Sequence, residues 1–260
     1  MDRDYKREYV EEDIERISEL TKIGVFSFIK SAGSSFVATS IAKYLADLRK
    51  KPVAFLELKH DASNESLLYE ALGMGQRFAS REFISFYSEI KNRKYIKTKK
   101  NIDSGINWAM RTPIDRELGI WLTAVEEARL LHNIYGDWVV CDLGSQYYQE
   151  SMDEMDIIIG VIDPMPSNLL SSKNHLRKLQ HAELGGRHLC WVINKYNNGV
   201  NSKLLKRFLK MKNPVIIPLI PEEWFYVAQY RCRIPFDQDE IKKQTIASIE
   251  ELVNHHILFT

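Results

Sequence analysis

The chain has 260 residues, 45% hydrophobic and 27% charged, a globular composition with enough apolar material for one large core. Lys and Arg number 36 against 35 Asp and Glu, so no overall charge excess points to nucleic acid or an acidic substrate. Cys141, Cys190 and Cys232 are scattered without CxxC spacing, which excludes a clustered zinc site or a disulfide framework and fits a reducing, cytoplasmic compartment.

Residues 1–22 read as an acidic amphipathic helix without an apolar signal core. Val10, Ile14, Ile17 and Leu20 recur at helical spacing among Glu11, Glu12, Asp13, Glu15 and Glu19. The rest, 23–260, reads as one domain. Residues 23–29 form a short apolar run, followed by a loop of mostly small residues, Lys30-Ser31-Ala32-Gly33-Ser34-Ser35. A helix is expected over 36–49 and a second strand over 53–58, the outline of a βαβ unit. Residues 62–131 are aromatic-rich (Phe83, Tyr87, Trp108, Trp121) and are expected to be a helical excursion on one face of the sheet. Strand patterns resume at 138–141, 157–162, 188–193 and 215–217. Helices are expected at 167–184, 202–211 and 238–256. The near-continuous apolar strands suit a parallel sheet covered on both faces. No apolar run reaches the roughly 20 residues that span a bilayer.

In an open parallel sheet, ligands bind beyond the carboxyl ends of the strands, so the residues that follow each run carry the chemistry. Lys30 to Ser35 stand where a helix N-terminus can present backbone N–H groups to a phosphate. Asp142 follows one strand as a magnesium-holding carboxylate can, and Asp163-Pro164, Asn194-Lys195 and Pro218 to Pro221 follow others. Taken singly, each is also an ordinary turn: Ser34 or Ser35 can cap a helix, and Asp after a strand commonly closes a turn.

In this order and spacing, residues 23–250 resemble the MinD/ParA family of P-loop ATPases, with an α/β fold of a mostly parallel twisted sheet flanked by helices. Aligned through Ile41-Ala42 and Leu45-Ala46, Gly33 matches the last glycine of that family's deviant Walker A loop. Ser34 matches its phosphate-binding lysine and Ser35 its magnesium-binding threonine. The family's second lysine falls on Ile29. Residues 138–144 resemble the Walker B strand, and Asn194-Lys195 the pair that meets the base. Residues 216–221, with Pro221, resemble the last strand and the loop beyond it. The resemblance implies ATP or ADP with Mg held by Lys30, Ser31, Ala32, Gly33, Ser34, Ser35, Asn194, Lys195 and Pro221, the metal at Ser35 and Asp142, and a homodimer.

The departures point the other way. Serine cannot supply the lysine's charge, and the aspartates expected after the second strand are Glu57 and Lys59, with Asp61 offset. A pseudo-ATPase or very slow ATPase follows, acting as a localisation or assembly scaffold. The CpaE/TadZ branch, linked to pilus assembly, is the nearest analogy. The alternatives are an atypical ATPase using Lys30 or a partner's residue, and a nucleotide-free interaction module. The basic run 91–100 reads first as a solvated face and second as a non-specific DNA contact. The closing helix reads first as packing on the sheet and second as a membrane-surface contact.

Overall fold

The computed structural model describes residues 20–48, 52–58, 67–145, 149–181, 188–211 and 213–258. The amphipathic segment before Leu20, and Lys59 and Asp61, lie outside them. In chain order come β1 (Thr21–Ser27), α1 (Ser34–Leu48), β2 (Val53–Glu57), α2 (Leu68–Ala71), α3 (Met74–Arg77) and α4 (Phe86–Lys91). Next are β3 (Ile102–Asp103), β4 (Ile106–Ala109), α5 (Pro113–Glu117), α6 (Ala124–Asn133), β5 (Trp138–Gly144) and α7 (Gln149–Asp153). The chain continues through β6 (Ile157–Ile162), α8 (Pro166–His181), β7 (His188–Tyr196), α9 (Ser202–Leu209), β8 (Val215–Pro218), α10 (Glu222–Tyr230) and α11 (Asp239–His256).

The strands form one eight-stranded sheet in the order β3-β4-β2-β5-β1-β6-β7-β8, parallel except where β3 meets β4. The apolar runs are strands for the reason their composition suggests: β2 and β6 are buried along their whole length, so both faces need apolar side chains. Ile23 and Val25 face a core with Val37, Ile41 and Leu45 of α1 and Ile249 and Leu252 of α11. Phe26 faces the opposite core, with Leu130 and Leu131 of α6, Leu169 and Leu176 of α8, and Leu205 and Leu209 of α9. The two faces alternate because successive strand side chains do.

The stretch 62–131, expected as helices and a long excursion on one face of the sheet, also carries two strands among its described residues. Residues 102–109 turn back through Ser104 and Gly105, both at positive φ, and β4 extends the sheet beside β2. Trp108, one of the aromatics of this stretch, is a fully buried strand residue packed on Phe55, with its Nε1 donating to the Asp103 carbonyl at 3.2 Å. Residues 222–230, unassigned from sequence, form α10.

The closing helix buries Ile249, Leu252 and Val253 in the first core, so its apolar stripe packs on α1 and β8. Among the described residues no helix is long and apolar enough to cross a membrane. The basic run is largely compensated: Lys91 pairs with Glu126, Lys94 and Lys99 with Glu89, and Lys100 lies 3.6 Å from the centre of the Tyr135 ring.

Candidate functional site

Connections from β1 travel one way across the sheet, through α1 to β2, and those from β6 travel the other way, through α8 to β7. The two crossovers lie on opposite faces. A crevice therefore opens where β1 and β6 lie side by side, the switch point at which doubly wound sheets take their ligands. The loop 28–33 occupies this place.

β1 ends two residues earlier than its apolar run suggested. The Ser27 hydroxyl donates to the Ile29 carbonyl at 2.8 Å and turns the chain out of the strand, leaving Phe28 and Ile29 in the loop. Ser31 and Gly33 both have positive φ, 62° and 97°, and the Ala32 amide closes back on the Ile29 carbonyl at 3.3 Å. α1 then begins at Ser34, with Ser34 and Ser35 in its first turn. The opening amides of a helix have no carbonyl partner inside it, so they are suited to an anion. Ser34 is buried, Ser35 half-buried, and Lys30 exposed at the apex of the loop.

Asn194 and Lys195 reach this loop through a device that the sequence did not disclose. In a regular strand their side chains would point to opposite faces. Here the pairing of β7 with β8 shifts register between Ile193 and Tyr196, and Lys195 takes a left-handed φ of 59°. Both side chains then reach the loop. Asn194 Nδ2 donates to the Ala32 carbonyl at 2.9 Å, and Lys195 Nζ donates to the Ser31 carbonyl at 2.5 Å while lying 3.6 Å from Asp163 Oδ2. Gly33 is required by the same contact: a Cβ there would stand 2.2 Å from Asn194 Nδ2, on a backbone that disfavours side chains. The residues expected near a base are thus anchors of the loop backbone. Pro221, exposed, heads α10, which packs on the first turn of α1 through Phe225 against Phe36, ring centroids 5.3 Å apart.

Asp142 was expected as the first residue beyond a strand; it lies inside β5, two residues before the strand's end at Gly144. It is fully buried, in register with Val25 of β1 and Glu57 of β2, and its Oδ1 accepts from the Gly144 amide at 3.1 Å. Beside it is a polar cluster that sequence reading missed. Glu57 Oε2 accepts from the Arg111 amide at 3.2 Å, and the Tyr87 hydroxyl donates to the Glu57 carbonyl. The Arg111 guanidinium is buried 3.6 Å from the Trp121 ring centre. Burial pushes Arg111 down from its ordinary value, opposed by Tyr87, Glu57 and Asp115, and burial raises Tyr87 well above its own, with Glu57 adding to the rise. Asp115 accepts from the Ser85 and Ser88 hydroxyls at 2.7 Å and from the Thr112 amide at 2.9 Å, closing a capping box for α5. Thr112-Pro113 with Asp115 was the available signal, since that spacing marks a helix start.

The loop fits a phosphate through its backbone, with small side chains and a helix N-terminus. Ser35 and Asp142 are hard oxygen donors of the kind magnesium takes. A cation at Ser34, the position of the family's lysine, is missing from the sequence itself.

No protein-family model matches the sequence, and no curated protein matches it. Solved structures do share the fold. A ParA family ATPase from Chlorobium tepidum TLS superposes with a TM-score of 0.72 at 12% identity, over 90% of this chain and 97% of that one. The septum site-determining protein MinD of Pyrococcus horikoshii OT3, complexed with Mg-ADP, gives 0.67 at 12% identity over 90% and 96%. A putative plasmid partition protein from Borrelia burgdorferi B31, bound to AMPPNP, gives 0.66 at 15% identity over 90% and 98%. The chain has the fold of the ParA and MinD ATPases.

Proposed function

We propose that the protein is a MinD/ParA-like scaffold in which ATP or ADP with magnesium is a structural or regulatory ligand and hydrolysis is weak or absent. The observation that carries this reading is the state of the loop: its Ser31 and Ala32 carbonyls are taken by Lys195 and Asn194, and no lysine stands at Ser34. A phosphate here is held by the first amides of α1, with Ser35 and Asp142 as metal donors. Backbone donors suffice for binding but place no cation on the charge that develops between β- and γ-phosphates, so binding outlasts catalysis. Related folds are known as a MinC:MinD cell division protein complex and as plasmid partition proteins. By that analogy, this chain acts as a homodimer that positions a protein partner, and a role near pilus assembly is one such task.

Thermal unfolding with increasing Mg-ATP and Mg-ADP tests the reading. A ligand that binds only the folded protein stabilises it by about 2.7 kcal/mol at a hundredfold excess over its Kd. The expected outcome is a concentration-dependent rise in Tm without measurable phosphate release. No rise with either nucleotide leaves the nucleotide-free module; steady release makes it an ATPase. That atypical ATPase has one observation in its favour, since two cations, Lys30 and Lys195, flank the loop. Turnover abolished by Lys30→Ala or Lys195→Ala would assign the missing charge to that residue.

A further inference from the structure

On the second face of the sheet, α8 and α9 line an open groove of about 1410 Å³ over β7. Its floor is apolar: Leu169 and Leu176 of α8, Trp191 of β7, and Leu205 and Leu209 of α9 are buried there. The Trp191 indole extends sideways over Gly160 of β6, where a Cβ would stand 2.2 Å from the ring. Leu170, Leu204 and Met165 stand higher and are more than half exposed. Apolar surface gathered in this way and rimmed by polar groups marks an interaction site.

The charge around this floor has one sign. Lys173 and Arg177 stand one turn apart on α8, and Arg207 and Lys210 lie at the end of α9, so both walls are basic. Neither helix contains an acidic residue. Asp163, which also lines the groove, is matched to Lys195 at 3.6 Å. Among the described residues, no carboxylate pairs with Lys173, Arg177, Arg207 or Lys210. The basic run 91–100 differs, since Glu89 and Glu126 answer its lysines within the fold. An anionic ligand in the groove therefore meets cations on both sides.

The dimensions select the kind of ligand. Small-molecule sites span roughly 300–1,000 Å³, and this groove is larger. Along β7 the floor runs roughly 20 Å, from Leu189 to Lys195. That is the length of about 13 residues of α-helix, and a cylinder about 10 Å across of that length fills on the order of 1,500 Å³, close to the volume of the groove. A bilayer also accepts leucines set among cations, but the floor residues are recessed, at most 8% exposed, where a flat surface does not reach them.

We propose that the groove between α8 and α9 receives an acidic amphipathic helix of a partner protein. Its apolar stripe, at i, i+3 or i+4 and i+7, lies on the leucine floor. Its carboxylates face Lys173 and Arg177 on one flank and Arg207 and Lys210 on the other. Lys195 closes the carboxyl end of the groove and also holds the Ser31 carbonyl, so the docked helix ends beside an anchor of the loop. The docking itself does not depend on what the loop binds.

The probe is a fluorescein-labelled helical peptide of about 13 residues, with leucines along one stripe and glutamates on both flanks, titrated with the full chain and followed by anisotropy. A control peptide keeps the leucines and carries lysine in place of each glutamate. The expected result is saturable binding of the acidic peptide, about tenfold tighter than the control, with slowed hydrogen exchange in Pro166–His181 and Ser202–Leu209 and none in α1 or α11. Arg177→Glu/Arg207→Glu should weaken the acidic peptide about tenfold and strengthen the lysine peptide, an exchange of preference that a misfolded variant cannot give. Leu170→Asp/Leu204→Asp should abolish binding of both. No binding of the acidic peptide, or binding that neither double variant changes, overturns the proposal. Protection of α8 and α9 in the dilute chain alone, not increased by the peptide, overturns it in favour of a cover from the chain itself. A dimer mass by light scattering that Leu170→Asp/Leu204→Asp abolishes overturns it in favour of a second copy. Parent protein that sediments with phosphatidylserine vesicles, and loses this in the same variant, overturns it in favour of a membrane surface.

Discussion

The carboxyl edge of the sheet has two halves built on different rules. Around β2, β4 and β5, Glu57, Arg111, Asp115 and Tyr87 are buried, and their charges and hydroxyls answer one another through short hydrogen bonds and the Trp121 ring. Around β1, β6 and β7, the loop is held by Asn194 and Lys195, beside the Ser27 hydroxyl on the Ile29 carbonyl, and one of these donors, Lys195, is partly exposed. Buried charges cannot be left unanswered, so the first half has one arrangement. In the second half Lys195 binds the Ser31 carbonyl at the rim of solvent, where water can replace it at small cost, and the Asn194 bond to Ala32 is the one buried anchor. The half away from the loop 28–33 has its polar groups locked, and the half where the proposed nucleotide would sit can change its bonds.

The largest test of that contrast removes the central cation. Arg111→Ala removes a buried cation whose charge Glu57 and Asp115 favour and leaves a cavity beside Trp121, and should cost about 3–5 kcal/mol, the scale of uncovering buried charge and emptying a large buried side chain. Arg111→Met, which keeps the volume against Trp121, should cost less. Urea unfolding of both variants measures this, and a loss under about 1 kcal/mol for Arg111→Ala would show that the cluster is no lock.

On the other side, Asn194→Ala frees the Ala32 carbonyl and should cost about 1–2 kcal/mol. Its exchange signature should be local, confined to 28–35 and the end of β7. Because Asn194 occupies the space over Gly33, the double variant Asn194→Ala/Gly33→Ala should recover the clash but not the left-handed strain of Gly33, which is about 1 kcal/mol. Gly33→Ala alone should therefore be worse than the double variant relative to its own background, a coupling readable in a double-mutant cycle. Additive costs would mean that Asn194 does not bear on the loop.

Much of this was legible beforehand for a physical reason, and the rest was not for another. β6 matched its apolar run to the residue, because a strand buried on both faces has to be apolar throughout. The same run misplaced the end of β1 by two residues: Phe28 and Ile29 are apolar yet sit in the loop, since Phe28 stacks on His175 and packs on Phe26 instead of pairing in the sheet. Apolarity reports burial, and here burial continues after the strand has ended. Asn194 and Lys195 were picked out by position, but their aim depends on a bulge and a left-handed residue between two strands, which no pattern along one strand encodes. Arg111 was hidden for the converse reason. A cation between Met110 and Thr112 reads as surface until the fold brings Glu57, 54 residues earlier in the chain, to its amide.

Tyr87 gives the smallest effect at neutral pH and the sharpest probe of the locked half. Tyr87→Phe removes one hydrogen bond to the Glu57 carbonyl and should cost about 1 kcal/mol near pH 7. Above that range the sign changes. Burial, reinforced by Glu57, holds the folded-state pKa of Tyr87 above the ordinary value near 10, so the folded protein keeps a proton that the unfolded chain gives up. Its contribution to stability is complete below about pH 10 and falls as pH rises beyond it. Other tyrosines and the lysines titrate there too, so the informative quantity is the difference between parent and Tyr87→Phe across pH 8 to about 11. The parent should lose stability more steeply, and the gap between the two should shrink and then invert. Parallel curves would mean that the Tyr87 hydroxyl reaches water and that the cluster opens as readily as the loop across the sheet.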